Sequence, residues 1–168
     1  RVDLRDMWIG AFEAYAKTCY EACDLVISLY GDNQKVQQSL GAVPEKSRII
    51  ANGIDISRFG GLSRAPDDAR PTMALIGRVV PIKDVKAYIA AAKMMRETVP
   101  DLRAYILGPL DEDPEYTAEC KALVTELGLD DCVEFTGPVN ITLYLPQIHV
   151  VVLTSLSESQ PLTLLEAG

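Results

Sequence analysis

Four short apolar runs, at residues 72–76, 103–107, 133–136 and 150–153, alternate with segments of helical character, and this alternation constrains the fold more than any other feature of the chain. Each run is too short for a helix and, apart from 133–136 where Glu134 and Thr136 intervene, nearly continuous in apolar side chains, the pattern of a strand buried on both faces. Between them, helical stretches extend from Asp84 to Thr98 and from about 114 to 127. A shorter one lies near 141–145, and a last one opens at Pro161. Strands joined by such helices predict an α/β fold, a parallel sheet with helices on both faces. Ligands of such sheets bind at the carboxyl ends of the strands, where Gly77, Gly108, Gly137 and Glu158 fall.

The first third of the chain repeats the alternation on a smaller scale. A helical pattern over about 4–22 leads to a strand at 25–29, a helix near 32–40 stopped by Gly41, and a short strand at 48–50. Residues 52–71 carry Gly53, Gly60, Gly61, Pro66 and Pro71 among several charges and read as a linker. The chain begins in mid-element and stops about two turns into its last helix, which reads as a piece of a longer protein.

Composition narrows the function classes. With 168 residues, 48% hydrophobic and 24% charged, the chain has the material for a packed domain. A formal net charge of -8 argues against a polyanion such as nucleic acid as a general partner. No run of roughly 18 apolar residues is present and the start lacks a signal-peptide pattern, so the expectation is a cytoplasmic protein without a transmembrane segment. Cys19, Cys23, Cys120 and Cys132 read as free thiols packed as small hydrophobes, with no histidine near the first pair to build a metal site. His149, the one histidine, has no serine or cysteine partner beside it and reads as structural. The seven tyrosines form no regular stripe that would suggest a carbohydrate platform.

Two segments carry chemistry. After the strand at 72–76 come Gly77, Arg78 and, five residues later, Lys83. An arginine fork and a lysine point charge beside one strand end suit a diphosphate, although either cation alone could be a solvated surface charge. After the strand at 150–153, Glu158 falls on a loop broken by Ser159, Gln160 and Pro161, and Glu166 falls inside the helix that follows. Ionised carboxylates only accept hydrogen bonds and so suit hydroxyl-rich groups, while the helix opening over Gln160, Pro161, Leu162 and Thr163 favours an anion between them. A nucleotide-sugar has those three parts. Alone, the glutamate spacing would recur often by chance. Asp111-Glu112-Asp113 invites a metal reading, but its place before a helix starting at Pro114 suits capping.

Taken together, Gly77-Arg78 with Lys83 and the paired Glu158 and Glu166 resemble the donor half of the retaining glycosyltransferases of family 4, which have two facing Rossmann-like domains. The resemblance extends over 22–28, Asn52-Gly53-Ile54-Asp55 with Phe59, Leu107-Gly108-Pro109 and Phe135-Thr136-Gly137. Within the family, residues 111–116 and 157–162 look most like the branch that makes the Pel exopolysaccharide. The resemblance implies a Rossmann-like GT-B fold in which 1–55 end an acceptor-side domain, 56–71 link, and 72–168 form most of the nucleotide-sugar domain. It implies that Arg78, Lys83 and Glu158 serve catalysis. Gly77, Gly137, Val139, Gln160, Pro161, Leu162, Thr163 and Glu166 would complete the donor site, with Glu158 by the sugar hydroxyls, Glu166 on the ribose and Gly137 and Val139 by the base. The implied reaction moves a hexose, glucose from UDP-glucose, with retention to a growing polysaccharide, with no metal or other cofactor and within a possible membrane-bound synthesis complex. Ser159 and Gln160 depart from the family's usual glycine and aromatic, which leaves sugar specificity open. A non-catalytic nucleotide-sensing or assembly module is the alternative. A sugar-nucleotide epimerase fits less well, since its acid and base are not identifiable.

Overall fold

The apolar runs become strands in the computed structural model, which describes residues 4–168. The chain divides into two units, Arg1–Gly53 and Ile54–Gly168, and residues 1–3 of the predicted first segment lie outside the described residues.

The second unit is built on β3 (Thr72–Ile76), β4 (Arg103–Leu107), β5 (Val133–Gly137) and β6 (Val150–Val151), in the order β5-β4-β3-β6 with every pairing parallel. Side chains alternate across the sheet. Met73, Leu75, Ala104 and Ile106 face α4 (Val85–Thr98) and α5 (Pro114–Glu126), packing with Val85, Tyr88, Ile89, Cys120 and Val124. Ala74, Ile76, Tyr105 and Leu107 face the other way onto Ile148, Tyr144, Leu145 and Val139. Both rows are apolar because both faces are covered, which is why these strands read as continuous runs.

The cover differs between the faces. Residues 141–145, expected as a short helix, form two 3-10 turns, Ile141–Leu143 and Leu145–Gln147. Pro146 lacks the N–H that an α-helix would use there, and the Asn140 side chain accepts from the Thr142 N–H and closes the first turn instead. The expected strand at 150–153 is paired only at Val150–Val151, although the Val152 N–H still donates to the Ala74 carbonyl at 2.8 Å. The glycine- and proline-rich stretch 52–71 holds a helix the sequence reading missed, α3 (Ile56–Phe59), capped by the Asp55 carboxylate on the Ser57 N–H.

His149 ties that stretch to the sheet. Its Nδ1 accepts the Thr72 N–H at 3.2 Å and its Nε2 lies 3.1 Å from the Pro66 carbonyl, while its own N–H donates to the Thr72 carbonyl at 2.9 Å. The acceptor role of Nδ1 leaves the ring proton on Nε2, directed at Pro66. The residue is structural.

The first unit holds α1 (Leu4–Ala22), β1 (Val26–Ser28), α2 (Gly31–Ser39) and β2 (Ser47–Ile49), with β1 and β2 parallel. The Lys46 ammonium donates to the carbonyls of Glu21 and Cys23 at the end of α1, a cation where the helix dipole is negative. Ser28 donates to the Gln37 side chain and links β1 to α2. Cys120 and Cys132 are buried as expected, whereas Cys19 is exposed, contrary to the packed reading. All four are free thiols. Among the described residues no helix is long and apolar enough to cross a membrane.

Candidate functional site

The carboxyl edge of the four-stranded sheet is where the loops converge. The ladder continues past the strand ends: Gly77 N–H donates to Leu107 O at 2.9 Å, Gly108 N–H to Gly137 O at 3.0 Å, and Val79 N–H to Pro109 O at 3.0 Å. The approach is close enough to require glycine. At Gly108 φ is +145°, and a Cβ there would stand 2.2 Å from the Gly77 carbonyl oxygen. The loops after β3, β4 and β5 therefore leave the sheet side by side.

Fully buried Val79 anchors the first of these loops, leaving Arg78 exposed before it. The turn Pro81–Lys83 opens with proline at its first position and ends at Asp84, a left-handed residue (φ 44°) whose carboxylate caps α4 at the Ala87 N–H. This turn holds the distant loop after β6. The Leu156 N–H donates to Ile82 O and the Thr154 hydroxyl to Lys83 O, both at 2.9 Å. That stitching brings Glu158 onto Lys83, and the two form an ion pair with both side chains about four-fifths buried. Donation from Lys83 holds the Glu158 carboxyl below its ordinary range. The Lys83 and Arg78 charges reinforce that shift, while burial opposes it.

Arg78 has a carboxylate partner of its own. Its Nη1 donates to Glu112 Oε2 at 2.8 Å across the loop after β4. The same loop is braced by the Thr117 hydroxyl on Leu110 O at 2.9 Å and by Asp113, which caps α5 at the Tyr116 N–H. Asp113 thus has the capping role its position suggests. Glu112 does not: it belongs to the charge cluster. Sequence offered no signal for this, since an acidic residue before a helix is explained by the dipole alone. Among the described residues no three histidine, cysteine, aspartate or glutamate side chains group as a metal would need.

The other expected site residues are distributed around this cluster. Gly77 and Gly137 lie at the converging strand ends, Gly137 with φ +71°. Val139 is half-buried on the Tyr105 and Ile148 face of the sheet. Pro161 is the N-cap of α6 (Leu162–Ala167), following half-buried Gln160, and Thr163 and Glu166 are half-buried within the helix. Glu166 forms no ion pair with Arg78 or Lys83. Glu166 lines a cavity of about 560 Å³ with Ile54, Phe59, Leu145, His149 and Val151. The structure therefore brings Lys83 and Glu158 into contact, with Arg78 near enough for its charge to act on Glu158, and sets Glu166 on a cavity that none of the three lines.

Comparison with known proteins places residues 63–168 in the family model described as glycosyl transferases group 1. Residues 1–45 match a domain of unknown function, DUF3492. The chain is 31% identical over 147 residues to a D-inositol 3-phosphate glycosyltransferase of Thermomonospora curvata, covering 77% of this chain and 32% of the relative. It is 32% identical over 143 residues to the protein of the same name in Kribbella flavida, covering 76% and 34%. The chain thus spans about a third of the length of the curated relatives it matches. Its fold is similar to that of Anabaena HepE solved with UDP and glucose, at a TM-score of 0.75 and 21% identity over 92% of this chain and 46% of that one. A glycosyltransferase of Rickettsia africae gives a TM-score of 0.78 at 16% identity over 94% and 45%.

Proposed function

Because the chain belongs to the group 1 glycosyl transferases, we propose that it is the donor-binding side of a longer enzyme that transfers a hexose from a nucleotide-sugar. The observation that carries this reading is the cluster of Arg78, Lys83 and Glu158 at the carboxyl edge of a parallel sheet, where loops from β3 and β6 are stitched together. UDP-glucose is the donor we propose, supported by the UDP and glucose bound in the structurally similar HepE.

On this reading the diphosphate lies by Arg78 and Lys83. As the bond from sugar to diphosphate breaks, negative charge grows on the departing oxygen, and the guanidinium and ammonium N–H groups stabilise it without an essential metal. The loop opening at Gln160, Pro161, Leu162 and Thr163 faces the same anion. Glu158 accepts from the sugar hydroxyls, Glu166 from the ribose, and Gly137 and Val139 border the base. Transfer proceeds with retention, and residues 1–55 end the acceptor-side domain, with 56–71 as the link.

The acceptor we propose is a growing bacterial exopolysaccharide of the Pel type, made within a membrane-bound synthesis complex. The relatives' name favours a second acceptor, an inositol phosphate. Calorimetric titration of the whole protein with UDP, ADP and GDP, with and without EDTA, tests the donor reading. UDP-selective binding that persists in EDTA and weakens in Arg78→Ala is the expected result. Absence of binding to all three would favour a non-catalytic assembly module instead.

A further inference from the structure

We propose that Glu112 is a positioning residue that holds the Arg78 guanidinium ready for the donor diphosphate, an inference that rests on the donor-site reading above. Arg78 is a long side chain with 52% of its surface exposed and, left alone, would sample many rotamers. Among the described residues its side chain hydrogen-bonds to Glu112, through a single Nη1 to Oε2 bond of 2.8 Å. A guanidinium carries five N–H donors in a rigid plane, so one such bond fixes its direction and leaves the remaining donors for an anion. Glu112 reaches it from a different loop, 34 residues away. That loop is itself held by the Thr117 and Asp113 hydrogen bonds, so the tether has a firm base.

Lys83 has a comparable arrangement with Glu158. Before any donor arrives, each cation is thus held by one carboxylate. The two carboxylates differ in place, however: Glu158 shares the β6 loop that leads into the proposed sugar and ribose contacts, whereas Glu112 lies across the sheet edge on the β4 side. Glu112 therefore acts through Arg78. Its negative charge also opposes an incoming diphosphate, but that repulsion is weakened by water around a side chain with 42% of its surface exposed and by the opposite charge it already contacts. Pre-ordering of Arg78 outweighs it.

The test is calorimetric titration of the whole protein with UDP for the wild type, Glu112→Ala, Glu112→Gln, Arg78→Ala and the Arg78→Ala/Glu112→Ala double variant, with thermal melts to establish that each is folded. Glu112→Ala should weaken UDP binding by about two- to tenfold, the size of the ordering cost of one long side chain. Glu112→Gln, whose amide oxygen still accepts from Nη1, should recover most of that loss. In the double variant the loss should be no larger than in Arg78→Ala alone, a result that a merely structural role for Glu112 would not produce. Unchanged or tighter binding in Glu112→Ala, or a further drop in the double variant, overturns the inference and leaves the donor site standing. Binding undiminished by Arg78→Ala overturns the donor-site reading, and this inference with it.

Discussion

The two units apply the same alternation of strand and helix with different results. In the second, β3 is buried along its whole length and β4 nearly so, and two apolar rows pack against separate covers. In the first, two parallel three-residue strands bury only Val26, Ser28 and Ser47, while Ile27 and Ile49 remain half exposed. Trp8, Phe12 and Tyr15 lie along one stripe of α1 and are each about two-thirds exposed. A periodic pattern is therefore sufficient to specify strands and helices, whereas a core needs a sheet broad enough to be covered on both faces.

The contrast breaks or holds first on core truncation. In this 168-residue chain Ile106→Ala, at a side chain with no exposed surface, should cost about 2–5 kcal/mol by denaturant unfolding, whereas Ile27→Ala at a half-exposed position should stay within roughly 0.5 kcal/mol. Equal costs would mean that the first unit has a core of its own. A smaller effect sharpens the boundary of the second unit. His149→Ala deprives the buried Thr72 N–H of its acceptor and releases Pro66, and should cost about 1–3 kcal/mol in the same measurement. A cost near zero would detach residues 54–71 from the sheet.

The smallest effect concerns the site. The fold holds the Glu158 carboxyl below its ordinary range, so its contribution to stability is full above the unfolded-state value and is lost as pH falls through the lower folded-state value. Glu158→Gln should flatten that acidic limb by about 1 kcal/mol or less, because both partners of the pair retain some contact with water. Stability measured from neutral pH downward, in variant and wild type, checks this; an unchanged limb would remove the Lys83 pair as its cause.

Much of the second unit was legible because its signals are local. Strands 72–76 and 103–107 match in full, since burial on both faces leaves apolar residues at nearly every position after Thr72 and Arg103. The Asp113 cap was equally plain, a carboxylate three residues before the N–H from which it accepts. Less was legible where apolar content and pairing diverge. Residues 152–153 are apolar, yet the paired strand ends at Val151 as the loop crosses to bond with Ile82 and Lys83. α3 was hidden because glycine and proline around it outweigh a four-residue helix in any local reading.

The sequence by itself determined the alternation of elements, the two-faced strands, the place of Arg78, Lys83 and Glu158 after strand ends and that of Glu166 in the last helix, all consequences of side-chain period and backbone preference over a few residues. Only the tertiary structure decided which charges meet. Lys83 and Glu158 are 75 residues apart and Arg78 and Glu112 are 34 apart. Their pairing follows from parallel register, from Gly108 allowing the Gly77 backbone to approach, and from two hydrogen bonds that dock the loop after β6 on the turn at Pro81–Lys83. Such contacts depend on how strands align in space, and no spacing along the chain encodes that alignment.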